Sequence, residues 1–201
     1  MRLTRRAALL AALAPLAARA ADPDATAPIQ GLVQALTTIM GQGPAVPFAQ
    51  RYAEMAQAVE GAFDLGTILR NSVGLEWPSL APADQQKLLD VFTKFTVATY
   101  VANFASNDGT RIEMLPGGRT ISADEVVQTR ILPANGNPVP VDYVMRRTAA
   151  GWRAVDVLLN GSISQVAVYR SDWRSSLTTG AGPLIANLQR KVADLSGGAL
   201  S

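Results

Sequence analysis

Residues 125–147 read EVVQTRIL, PANGNP, VPVDYVMRR: two alternating stretches separated by a turn. In the first, Val127, Thr129 and Ile131 share one face. In the second, Val139, Val141, Tyr143 and Met145 share a face, with Asp142 and Arg146 opposite. Alternation at period two is the pattern of a half-buried strand, and Pro133-Ala134-Asn135-Gly136-Asn137-Pro138 is a strong hairpin signal. The pattern continues in both directions. Upstream, Arg111-Ile112-Glu113-Met114-Leu115 alternates, Pro116-Gly117-Gly118 is expected to turn the chain, and Asp124-Glu125 reads as a turn or a strand start. Downstream, Ala149-Ala150-Gly151 turns again and Trp152–Leu159 forms a last strand. The result is an antiparallel meander of about four strands.

On either side the period changes to that of a helix. Leu88, Val91, Phe92, Phe95, Thr99, Tyr100 and Phe104 recur every three or four residues, which predicts a long helix from about Asp84 to Phe104. Trp77-Pro78-Ser79-Leu80-Ala81-Pro82 leads into it, and Asn107-Asp108-Gly109 separates it from the sheet. Shorter helices are expected over 28–40, 48–59 and 64–72, the first ending at the Gly41-Gln42-Gly43-Pro44 breaker. Residues 22–28, rich in Pro, Asp and Ala, read as a flexible lead-in. A final helical part covers about 163–173 and 183–195. No repeat or linker interrupts this order, so the fold class is α+β, a single domain with an antiparallel sheet wrapped by helices.

The first twenty residues, MRLTRRAALLAALAPLAARA, place a basic start before an apolar run and close on Ala18-Arg19-Ala20. That is the layout of a cleaved signal peptide; the run is too short for a spanning helix. The expected division is residues 1–20 as signal and 21–201 as the mature domain, exported to the periplasm. Arg5-Arg6 after Thr4 fits twin-arginine export, although Ala8 stands where a bulkier apolar residue is usual. Export changes the charge argument. The chain has 18 Lys+Arg and 16 Asp+Glu; without Arg2, Arg5, Arg6 and Arg19 the balance becomes 14 against 16. No basic run with interleaved aromatics occurs, so nucleic acid is not an expected partner.

Composition limits the chemistry further. There is no cysteine and no histidine, which removes triads built on His, thiolate nucleophiles and imidazole or thiolate metal sites. The lysines are Lys87, Lys94 and Lys191, none in a Ser-x-x-Lys arrangement. Carboxylate chemistry of the glycosidase kind remains open to scattered acidic residues. A protein that is not an enzyme, without cofactor or metal, is the expectation.

Several short motifs in order resemble a known family. Phe48-x-x-Arg51, Phe63-Asp64, Ile68, Val73-Gly74, Trp77, Leu80, Gln85-Gln86, Phe92, Phe95 and Tyr100 form one block. Val141-x-Tyr143, Trp152-x-x-Val155-Asp156-Val157, Gly161-x-Ile163-Ser164 and Tyr169-Arg170-Ser171-x-Trp173 form a second, followed by Gly180-x-x-x-Leu184-Ile185-x-x-Leu188. Over roughly residues 30–190 they resemble the MlaC family, or toluene-tolerance auxiliary components, whose relatives include the hopanoid-associated HpnM proteins. Trp173 departs from the Phe usual there. The resemblance implies a curved cone, similar to nuclear transport factor 2, around a deep hydrophobic pocket. It also implies a phospholipid or hopanoid cargo, and a shuttle between an outer-membrane lipoprotein complex and an inner-membrane ABC transporter that maintains outer-membrane lipid asymmetry.

Such a pocket needs apolar walls. Val127 and Ile131, Val141, Tyr143 and Met145, and Val155, Val157 and Leu159 are the candidate strand contributions, extended by Ile112 and Met114. Phe95, Tyr100 and Phe104 are the candidates from the long helix. Met145 and Met114 are the adaptable members, since a thioether accommodates varied shapes. The competing reading is that these residues pack on one another, leaving an interaction or adaptor module of the same fold. Of the polar residues, Asp156 is expected to make a buried hydrogen bond or pair with Arg170. Arg146-Arg147 suits either a lipid phosphate or a solvated hairpin edge, and Ser162 and Ser164 suit helix capping.

Overall fold

The computed structural model describes residues 22–106 and 108–200; the expected signal segment, 1–20, lies outside the described residues. Four helices precede the sheet: α1 (Pro23–Gln42), α2 (Phe48–Ala62), α3 (Leu65–Val73) and α4 (Pro82–Asn103). The strands β1 (Arg111–Ile121), β2 (Asp124–Leu132), β3 (Val139–Thr148), β4 (Gly151–Leu159) and β5 (Ile163–Ser164) follow, and α5 (Gln165–Trp173) and α6 (Gly182–Ser196) close the chain. The sheet is antiparallel in the order β1-β2-β3-β4-β5, so each strand pairs with its sequence neighbour.

Local chemistry explains the boundaries, including those the sequence reading placed wrongly. Residues 22–28 are not a flexible lead-in; they open α1. The Asp22 carboxylate accepts from the Asp24 N–H at 2.9 Å, and Pro23 occupies the first helical turn, where a missing N–H costs nothing. Inside α1, Ala25, Ile29, Leu32, Leu36 and Ile39 are buried at the spacing of one helical face. Asp64 caps α3 by accepting from the Thr67 N–H at 2.9 Å. Gly74 ends that helix at φ 73°, and the Arg170 guanidinium packs where a side chain would begin, 3.5 Å from the position of a Cβ. A larger residue would therefore be strained and crowded at once.

Two irregularities shape the sheet. Pro116-Gly117-Gly118 does not turn the chain: β1 runs through it, and its register to β2 shifts between Met114 and Gly118. Gly117 takes φ 90° there, a conformation glycine adopts freely. The actual turn comes at Ser122, which has φ 58°. The second bulge lies between β3 and β4, where Val144 pairs Asp156 but Met145 pairs Ala154. One extra residue on β4 reverses which side chains face inward.

Helix α1 crosses the inner face of the sheet, touching β1 to β4, while α4 packs between α2 and α6. The link from α2 to α3 docks along β4. Phe63 bridges Ala154, and the Asp64 N–H donates to the Ala154 carbonyl at 2.9 Å. This junction carries Phe63 and Leu65 beneath the sheet. Arg51, buried on α2, ties its guanidinium to the Val46 carbonyl at 3.1 Å and sets it over the Phe48 ring.

Candidate functional site

Between α4 and the inner face of the sheet lies a cavity of about 490 Å³. Asp156 of β4 and Gln165 of α5 lie at its border, and the apolar part of its sheet wall is Ile131, Val141, Tyr143, Val157 and Leu159. These five come from three strands and share one face, because Val127 pairs Tyr143, Tyr143 pairs Val157, and Val141 pairs Leu159. The helical wall comes from α4, where Phe92, Thr96, Thr99 and Asn103 recur at helical spacing, joined by Tyr100 and Phe104. Phe63, Leu65 and Ile68 from the α2–α3 junction, Met40 from α1 and Tyr169 from α5 complete it. Polar residues gather at the exposed end: Asn103, Ser106 and Asp108 are all exposed there.

Polar groups along the walls are mostly tied back to the protein. The Thr96 hydroxyl donates to the Phe92 carbonyl at 2.9 Å and that of Thr99 to the Phe95 carbonyl at 2.7 Å. Both threonines therefore have no O–H left to donate into the cavity, while their oxygens can still accept. Aromatic rings reinforce the interior in two groups. Phe63 meets Tyr100 at 5.9 Å and Tyr143 at 6.0 Å, and Tyr100 stacks on Phe104. Phe92 lies edge-on to Tyr169 and Trp173, which stack at 4.7 Å. Burial pushes the Tyr143 and Tyr169 phenols up to about 12. Tyr100 is raised well above its ordinary value, chiefly by burial and further by its proximity to Tyr143.

The thirteen residues expected to form the wall thus divide. Tyr100, Phe104, Ile131, Val141, Tyr143, Val157 and Leu159 line the cavity. Val127, Met145 and Phe95 are buried in the main core instead, and Ile112 and Met114 pack partly buried against it. Val155 leaves the inner face altogether. Strict alternation puts it beside Val157, but the bulge displaces it into a separate buried cluster with Val144 and Leu158. The methionine at the cavity is Met40 of α1, not Met114 or Met145. Phe63, Leu65 and Ile68 were missed because the period of a single helix does not show a junction turning inward. Of the α4 residues at the cavity, Phe92 and Thr99 belong to the stripe read from the sequence, whereas Thr96 and Asn103 were missed because they are not apolar.

The remaining polar candidates have structural partners. Asp156 accepts from the Ser164 hydroxyl, from the Val166 N–H at 3.1 Å and from the Val157 N–H at 2.8 Å. It fastens β5 and the start of α5 to β4, and it does not pair with Arg170. Arg170 instead donates to the Asn71 carbonyl at the end of α3. Arg146 holds Asp124 through two bonds of 2.8 and 2.6 Å, while Arg147 lies over the Trp152 ring and 3.7 Å from Asp22. Ser164 caps α5, accepting from the Ala167 N–H at 3.0 Å; Ser162 caps no helix.

Comparison with known proteins follows the same lines. No curated protein sequence matches the chain. Among solved structures it is similar to one described as the phospholipid-binding protein from Ralstonia solanacearum in complex with a phospholipid, with a TM-score of 0.72. The two are 24% identical, and the match covers 86% of this chain and 99% of the other; at that identity the likeness establishes the fold. The family model described as MlaC protein matches residues 30–190. Spanning most of the chain, that match shows that it belongs to the MlaC family.

Proposed function

We propose that this protein is a non-catalytic lipid carrier that holds acyl chain in the cavity between α4 and the sheet. The observation that carries the reading is the cavity itself: about 490 Å³, walled mainly by aliphatic and aromatic side chains, with the exposed Asn103, Ser106 and Asp108 at one end. A methylene and a water molecule take up similar room, roughly 30 Å³, so the space holds about sixteen methylenes. At about 0.8 kcal/mol each, withdrawing such a chain from water stabilises the complex by about 10 kcal/mol or more. A carrier needs an interior of that kind and a polar rim that leaves the headgroup in water. The phospholipid named for the Ralstonia solanacearum protein supports the same class of cargo.

In this reading residues 1–20 are a signal peptide removed on export, and the protein works in the periplasm as the soluble member of an ABC transport system. It moves phospholipid or hopanoid between an outer-membrane lipoprotein complex and the inner-membrane transporter. The test is transfer of a fluorescent phospholipid from donor to acceptor vesicles held apart by a dialysis membrane. A rate that rises with protein concentration supports the carrier. Transfer no faster than without protein would leave the interaction or adaptor module as the better account.

A further inference from the structure

Two phenols stand inside the cavity with an unfinished hydrogen-bonding arrangement. Tyr100 and Tyr143 both line the cavity, both rings meet Phe63, and Tyr143 is only 4% exposed. Each hydroxyl carries one proton. A bond between the two phenols uses at most one of these protons, and no other described residue hydrogen-bonds either hydroxyl, so at least one O–H is left for an occupant of the cavity. The nearby hydroxyls of Thr96 and Thr99 are committed to helix carbonyls.

The position of the pair suggests what completes it. Tyr143 lies one strand repeat inward from Val141 and Leu159, and Leu159 is 37% exposed at the open end. Two residues of strand span roughly 7 Å. A lipid with its headgroup at the rim and its chain inside would set its ester linkage at about that depth. An ester carbonyl is a hydrogen-bond acceptor, whereas an ether or a plain methylene leaves the spare O–H poorly partnered or unpartnered. Burying a donor without a partner disfavours the complex.

We infer that the Tyr100–Tyr143 pair is a specificity-determining group that selects ester-linked lipids by donating a hydrogen bond to the first ester carbonyl. This rests on the carrier reading, and the experiment separates the two. Palmitoyl lysophosphatidylcholine and its hexadecyl ether counterpart differ at the carbonyl and carry the same headgroup. Their affinities for the delipidated protein are measured by calorimetry below the micellar concentration, with the native protein and with the double variant Tyr100→Phe/Tyr143→Phe, which removes both phenolic donors. The native protein is expected to bind the ester about tenfold more tightly, and the variant to bind the two alike. Equal affinities in the native protein, or a preference that survives in the double variant, would overturn the selectivity and leave the carrier intact. Binding of neither lipid by the native protein would overturn both.

Discussion

Filling the cavity separates open space from packed core. Val127, Tyr143 and Val157 form one row across β2, β3 and β4. Val157 borders the cavity and is half-buried, whereas Val127 is 1% exposed and belongs to the main core. Tryptophan at position 157 adds about seven non-hydrogen atoms, each displacing roughly one methylene of an occupant worth about 0.8 kcal/mol. Val157→Trp should therefore weaken lipid binding by about 5 kcal/mol, more than a thousandfold. Its effect on stability should be small, because the ring enters space that is already open. Val127→Trp has no such space and should destabilise the fold by about 1–3 kcal/mol through overpacking. Urea unfolding of the lipid-free variants gives the stabilities, and displacement of a fluorescent lipid gives the affinities. Equal destabilisation by both substitutions, with affinity unchanged by Val157→Trp, would refute the claim that the space between α4 and the sheet takes the lipid.

Further outcomes follow from the polar contacts. Arg146→Ala removes both donors from Asp124, whose side chain is 13% exposed, and should cost about 1–3 kcal/mol of stability while lipid affinity stays as it was; a fall in affinity at unchanged stability would mean that Arg146 meets the headgroup. Asp156→Ala releases Ser164 and Val166 from β4 and should lower the unfolding midpoint and speed amide exchange in α5; a variant as stable and as protected as the native chain would contradict that role. The buried phenols make stability fall in alkali. Their pKa values are higher in the folded chain, with Tyr143 at about 12, than in the unfolded chain at about 10. The native state therefore binds these protons more tightly, and the corresponding stability is intact below pH 10 and is lost between about pH 10 and 12. Phenolate absorbance should rise together with unfolding; full titration of a still-folded protein near pH 10 would contradict the burial.

Periodicity made much of this architecture legible, and its failures have physical causes. Strands β2 to β4 and helix α4 appear where the alternation and the three-to-four spacing placed them, because each buries one continuous face. Pro116-Gly117-Gly118 carries turn chemistry, yet bulges draw on the same residues, and only pairing with β2 tells the two apart. At the start of α1, Asp22 and Pro23 signal a helix start as strongly as disorder; the buried Ala25 and Ile29 decide it. The cavity was legible in part. Its sheet wall came from alternation, and the error at Val155 came from a bulge that no local pattern announces. Phe63, Leu65, Ile68 and Tyr169 reach the cavity through tertiary contacts between segments distant in sequence. Apolar character alone could not divide Val127 and Met145, which pack, from Val141 and Val157, which line the space.

The most direct measurement is native mass spectrometry of the protein purified gently from a periplasmic extract, followed by organic extraction of whatever accompanies it. The account predicts a mature chain beginning at Ala21 that carries a stoichiometric lipid, a phospholipid or a hopanoid. A lipid-free mass, unchanged after incubation with phospholipid vesicles, would contradict it.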